Sequence, residues 1–245
     1  MAGVLVMNQS PSKLFDNGRE YSNLADKVVK HNLKTLIEDS TEEQYREAMK
    51  RLGAKLGGAV AKKLAKDTPS LTIAVTAEDA DYLAQGFTDY LEKTVGIKVF
   101  VTCFWNDHRK DNLSQKSIAP VIHKYLQPGY ENNSTLVVIK SILSSSCVVK
   151  SNILSLYSSM TPSEVHVVAP VVYKEAEAIL SNDFPSEFSS KFNFTWFAKD
   201  AVREDDGTVK PGIGGQIYYR LGLKDKPINT KFMPEVVLKR MTTTA

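Results

Sequence analysis

What most constrains this chain is an alternation of short, continuous apolar runs with amphipathic helical stretches. The runs are Leu71-Thr-Ile-Ala-Val75, Lys98-Val-Phe-Val-Thr-Cys-Phe-Trp105, Ser134-Thr-Leu-Val-Val-Ile139, Glu164-Val-His-Val-Val-Ala169 and Phe192-Asn-Phe-Thr-Trp-Phe197. A strand apolar at successive positions must be covered on both faces, as in a parallel sheet with helices packed on each side. Between the runs the apolar spacing changes to three or four: Val28, Val29, Leu33, Leu36 and Ile37, then Tyr45, Met49, Leu52, Leu56, Val60 and Leu64. The cluster 39–43 supplies an N-cap, with acids in the first turn of the second helix. Helices are also predicted over 80–93, 148–160 and 173–180. The expected fold class is therefore α/β: a three-layer, mostly parallel sheet flanked by helices, with ligands at the carboxyl ends of the strands.

The flanks read differently. Residues 1–24 carry Asn, Ser, Pro, Gly and charge without periodicity and predict an irregular N-terminal arm, while 106–116 reads as a polar loop. Farther along, the tail Phe232-Met-Pro-Glu-Val-Val-Leu-Lys239 has apolar groups that need a partner or a groove of their own.

Composition excludes several classes. With 42% hydrophobic and 24% charged residues the chain is neither disordered nor a disulfide scaffold, and a net charge of +3 names no nucleic-acid or membrane partner. Cys103 and Cys147 lie in apolar or small-residue surroundings without metal-ligand spacing, which predicts buried structural thiols. No run of about 18 apolar residues occurs, nor a basic n-region followed by an apolar h-region. An intracellular, by default cytoplasmic, setting is expected.

From about Asp26 to Leu223 the order of motifs resembles the uracil phosphoribosyltransferase family. The segment Lys27-Val-Val-Lys-His-Asn-Leu-Lys-Thr-Leu36, followed by Ser40-Thr and Gln44-Tyr-Arg46, is similar to that family's opening. Asp200 followed by Asp206-Gly-Thr-Val-Lys-Pro-Gly-Ile-Gly214, with Gly222 beyond, is similar to its late glycine-rich stretch. The resemblance implies a phosphoribosyltransferase-like domain over 25–223, between the arm 1–24 and an extension 224–245. It also implies a reaction joining uracil to phosphoribosyl pyrophosphate, with Mg²⁺ accompanying that substrate, and association into homodimers or larger assemblies.

The ligand-binding motifs depart from the pattern. After Leu136-Val-Val-Ile139 the family has an acid and a Thr-Gly-Gly phosphate loop; here Lys140 stands at the acid, and Ser144, Ser145, Ser146 and Cys147 close the loop. Serine hydroxyls at a helix start could still meet a phosphate, or the segment is a plain strand-to-helix turn. Glu78 stands at the pyrophosphate-binding arginine, where it repels a pyrophosphate; it equally suits the start of the next helix. In the mobile loop only Asp107 agrees, with Arg109 and Lys110 either phosphate clamps or solvated charges. Pro211, Gly212, Ile213 and Gly214 retain the backbone that in the family hydrogen-bonds uracil, though any tight turn would use such residues. Gly215-Gln-Ile-Tyr-Tyr219 replaces two carboxylates and an arginine.

No other catalytic constellation stands out: His31, His108, His123 and His166 are dispersed, and His166 reads as structural. The sequence thus predicts a catalytically degenerate family member, with no catalytic residue and no metal or cofactor of its own, serving as a structural or regulatory subunit of an assembly. An active uracil phosphoribosyltransferase with a rebuilt phosphate site, and a non-catalytic uracil or nucleotide binder, are the alternatives.

Overall fold

The computed structural model describes residues 18–111 and 117–243. Among them an eight-stranded sheet forms the middle layer. Its main strands are β1 (Arg19–Tyr21), β2 (Ser70–Thr76), β3 (Lys98–Asn106), β4 (Val121–Leu126), β5 (Thr135–Ile139), β6 (Glu164–Tyr173) and β7 (Phe192–Asp200). The spatial order is β1-β7-β6-β5-β2-β3-β4, and the short strand Ile142–Leu143 also pairs with β6. The five inner strands from β7 to β3 run parallel, and β1 and β4 close the edges antiparallel.

Why the inner strands are continuous apolar runs is visible in β5. Val137 and Ile139 enter one core, Leu136 and Val138 the other. The first core holds helices α1 (Lys27–Ile37), α2 (Glu42–Ala61) and α3, a helical run of consecutive segments Ala77–Asp79, Ala80–Ala84, Gln85–Tyr90 and Leu91–Val95 in which the second and fourth are π-helical. The second holds α4 (Cys147–Leu156) and α5 (Ala176–Asn182). Helix α1 is capped by the Asp26 carboxylate, which accepts the Val29 N–H at 2.8 Å. Helix α2 starts with a reciprocal box in which Thr41 and Gln44 each accept the other's backbone N–H. Glycines let α2 and α3 touch: a Cβ on Gly53 would lie 1.9 Å from the Leu83 carbonyl oxygen, and one on Gly86 would lie 2.0 Å from that of Lys50.

The flanks differ from the expectations. Residues 1–17 of the expected arm lie outside the described residues, but Arg19–Tyr21 is not irregular; it pairs with β7 because Arg19 finds an acid there. Within the expected loop, Asn106 completes β3, and Arg109–Lys110 pairs with Ser117–Ile118; residues 112–116 lie outside the described residues. The helix expected from Tyr173 starts at Ala176, since β6 carries its pairing with β7 to Tyr173. Cys103 is buried, whereas Cys147 is only half-buried.

The tail finds its groove on its own chain. Helix α6 (Glu235–Thr243) buries Val236 and Val237, the latter completely. The Val236 N–H donates to Asp81 Oδ1 at 3.0 Å, Arg240 Nη2 donates to both Glu92 carboxylate oxygens at 2.7 and 2.8 Å, and Trp105 Nε1 donates to the Phe232 carbonyl at 3.1 Å. Among the described residues no helix is long and apolar enough to cross a membrane.

Candidate functional site

The sequence residues of interest gather at the carboxyl ends of β2, β5 and β7. Register brings Val75 beside Ile139, so the residues that follow, Thr76 and Lys140, emerge together. Lys140 Nζ donates to Asp79 Oδ2 at 2.6 Å, to Thr76 Oγ1 at 3.0 Å and to Glu78 Oε1 at 3.1 Å. Thr76 Oγ1 in turn donates to Asp79 Oδ2 at 2.9 Å. The Asp79 side chain is 0% exposed, that of Lys140 11% and that of Glu78 16%. Burial by itself would lower the Lys140 pKa, but the Asp79 and Glu78 charges outweigh it and hold the ammonium above the ordinary lysine range. An ammonium has three N–H donors, and here all three have acceptors within the protein. Tyr218 lies near this cluster: burial, then the Glu78 charge, pushes its hydroxyl pKa up.

The serine loop is occupied in a similar way. Ser146 precedes the first residue of α4 and donates its hydroxyl to Asp183 Oδ2; Lys150 Nζ lies 3.3 Å from Asp183 Oδ1. A helix N-terminus favours negative charge, and Asp183 brings a carboxylate of this chain to that end. The Cys147 thiol donates to the Ser117 carbonyl at 3.0 Å, and Ser144 and Ser145 are half-buried beside it.

The glycine-rich loop is held from three sides. The Gly212 N–H donates to Asp200 Oδ2 at 2.8 Å, and the Gly212 carbonyl accepts from Arg19 Nη2 at 2.6 Å. Arg19 also clamps the Asp200 carboxylate through Nε and Nη2, each at 2.6 Å, with both side chains fully buried. The Tyr45 hydroxyl donates to the Ile213 carbonyl at 3.0 Å. Gly214 has φ +81° and approaches the Leu36 carbonyl so closely that a Cβ would lie 1.9 Å from its oxygen. Pro211 follows a cis peptide bond and is half-buried.

Glu78 and Lys140 are thus in contact, Lys140 leads into the loop 144–147, and 211–214 packs against the end of β7. Asp107 stands apart from them, its carboxylate 3.1 Å from exposed Arg109. Sequence reasoning missed Thr76, Asp79, Asp183, Arg19 and Tyr45. Opposite charges at the ends of two adjacent parallel strands were the available signal for the first two; nothing local marks the other three.

As for Mg²⁺, the oxygens of Thr76, Glu78 and Asp79 converge on an ammonium, so the ion does not fit among them while Lys140 is in place. Among the described residues no group of three His, Cys, Asp or Glu side chains is arranged to hold a metal.

No protein-family model matches the chain, and neither does any curated protein sequence. Its fold is similar to that of the AQ2163 protein from Aquifex aeolicus, with a TM-score of 0.63 and 16% identity over 82% of this chain and 96% of that one. Also similar in part are an adenine phosphoribosyltransferase from Leishmania donovani and an L. donovani hypoxanthine-guanine phosphoribosyltransferase. The first has TM-score 0.46 and 13% identity over 85% of each chain; the second has 0.38 and 15% over 57% of this chain and 76% of that one.

Proposed function

We propose that this chain is a phosphoribosyltransferase-like protein whose ligand-binding elements are closed by its own side chains, and that it acts as a structural or regulatory subunit rather than as an enzyme. The observation that carries the proposal is Lys140, whose three donors are spent on Asp79, Thr76 and Glu78 at the strand end where the family resemblance implies an acid for the ribose. Asp183 at the start of α4 supports it, as do the Gly212 and Ile213 backbone groups taken by Asp200, Arg19 and Tyr45. Opening such a site would mean parting Lys140 from Asp79 and Glu78, and a buried charge left without its partner costs several kcal/mol. A homodimer or a hetero-oligomeric assembly within the cell is the setting that fits, with 25–223 as the phosphoribosyltransferase-like unit.

The test is calorimetry of the whole protein with phosphoribosyl pyrophosphate and Mg²⁺, then with uracil and uridine monophosphate, with a product assay on the same samples. Neither heat nor product is expected. Turnover would restore the enzyme reading, and saturable uridine monophosphate binding without turnover would make the chain a nucleotide binder instead.

A further inference from the structure

Strand β4 closes one edge of the sheet, with β3 as its neighbour on the inner side. The Gln127 N–H donates to the Val101 carbonyl at 3.0 Å, and the register Cys103↔Tyr125 and Trp105↔His123 continues that pairing at every second residue. The residues between, Lys124 and Leu126, therefore turn their backbone N–H and C=O away from the sheet. Among the described residues no hydrogen bond reaches these outward groups. The two faces beside this edge differ. On one, the exposed Lys124 ammonium donates to the Ser155 hydroxyl of α4 at 3.2 Å. On the other, Trp105, Ile122, His123, Ile228, Phe232 and Met233 line a hollow of about 290 Å³. The register breaks beside Asn106, and Ile122, left over at that bulge, lines the hollow while 62% exposed. Lys231 also lines the hollow, and no Asp or Glu does. Among the described residues neither Lys124 nor Lys231 is paired with a carboxylate.

We propose that β4 accepts, as an added antiparallel strand, an extended segment of a partner protein in which Asp or Glu alternates with apolar residues. The outward backbone groups of Lys124 and Leu126 supply the hydrogen bonds, and the period of two sends alternate side chains of the segment to opposite faces. The residue across from Lys124 exchanges both backbone bonds with it and shares its face, so an acid there meets an ammonium that has no carboxylate partner. Its neighbours in the segment turn to the other face, where the hollow beside Trp105 takes apolar side chains. Charge complementarity selects this occupant, because the chain has spent no acid of its own on the two cations at this edge. It rejects a second copy of the chain, because β4 reads Val-Ile-His-Lys-Tyr-Leu and has no acid to set opposite Lys124. A nucleic acid would meet the cations but has no alternating amide donors and acceptors to extend the ladder.

This deepens the proposed role as a subunit and rests on it for its purpose, but the two fail separately: turnover would remove that role and leave binding at β4 to be judged on its own. The experiment uses the full chain and a short fluorescent peptide in which Glu alternates with Leu. Comparison probes are the alternating peptide with Lys for Glu, a peptide of the same composition with Glu and Leu in separate blocks, a single-stranded oligonucleotide, and two N-methylated forms of the Glu peptide. Methylation at the Glu positions removes the N–H groups that face β4, and methylation at the Leu positions removes those that face solvent. The expected result is saturable binding of the Glu peptide, weakened at least tenfold by methylation at Glu and less than threefold by methylation at Leu. Lys124→Glu and Ile122→Glu should each weaken it at least tenfold, with circular dichroism matching the parent; if either misfolds, the methylated peptides test the same claim on the parent chain. Absence of saturable binding, equal binding of the Lys or block peptide, preference for the oligonucleotide, equal effects of the two methylations, or folded variants that bind as the parent does would each overturn the proposal. So would sedimentation showing a dimer that Ile122→Glu dissolves, which would give the edge to a second copy.

Discussion

Glu78 and Lys140 meet at 3.1 Å across the ends of two neighbouring parallel strands, and their charges are the reverse of the arginine and acid that the uracil phosphoribosyltransferase pattern has at these two places. Taken one at a time, each substitution looks like the loss of a ligand contact. Together they are a complementary pair, and Asp79 completes it.

Removing the cation should therefore be costly. Lys140→Met leaves Asp79 and Glu78 buried without a counter-charge, and a loss of about 3–5 kcal/mol in urea unfolding is expected. The double variant Glu78→Arg with Lys140→Asp keeps opposite charges at the two positions. Its cost should fall short of the sum of the two single variants by about 0.5–3 kcal/mol. Simple additivity would mean that the two side chains do not depend on one another.

Deleting 225–245 should weaken the fold. It removes Val236 and Val237 from the core, each worth about 1.5–3 kcal/mol, and unpairs Glu92 from Arg240. Trp105 would lose its Phe232 acceptor and become wetter, so its fluorescence should shift to the red. A truncated chain with the parent's melting temperature and emission spectrum would show that the tail is only lightly attached.

Acid should destabilise the protein before its carboxylates titrate. Burial pushes the pKa of His166 down, with Glu164 opposing and Lys63 assisting. Between the lowered folded value and the ordinary value near ~6.5 the unfolded chain holds a proton that the folded chain does not, so stability is present above this window and declines as pH falls through it. In His166→Gln the decline from pH 7 to pH 5 should be shallower, as measured by denaturation at each pH. Lys140 has the opposite sense: its folded pKa is raised, so its contribution is complete at neutral pH and is lost only as pH rises through that raised value.

Two neighbouring glycines give a controlled comparison. Both Gly214 and Gly215 have positive φ, +81° and +108°, but a Cβ on Gly214 would strike the Leu36 carbonyl while one on Gly215 meets nothing within 4 Å. Gly215→Ala should cost about 1–3 kcal/mol of backbone strain. Gly214→Ala should cost more and should also disturb Tyr45, which bonds to the preceding carbonyl. Equal losses would show that the approach to Leu36 is not tight.

The sheet was legible because each inner strand is buried on both faces and is written as an uninterrupted apolar run, as Leu136 to Ile139 illustrates. The edges were not. Strand β4 reads Val-Ile-His-Lys-Tyr-Leu, too polar to signal burial, and β1 is three residues whose pairing depends on Asp200, 181 positions away. At the candidate site the sequence supplied Glu78 and Lys140 as separate oddities. Their contact could have been inferred only from strand register, which no local pattern encodes. Asp183 and Tyr45 reach the site from helices and turns whose direction follows from packing rather than from composition.

Arg19 binds Asp200 and the Gly212 carbonyl across sequence separations of 181 and 193 residues. The first strand of the described chain therefore cannot take its place until Asp200 and Gly212 have been synthesised. During translation it must wait, unpaired, while the inner parallel strands assemble, and contacts of such span are slow to form. Closing the Arg19 clasp is then a late event in the folding of this sheet, one that waits for β7 and completes the sheet only when that strand has arrived.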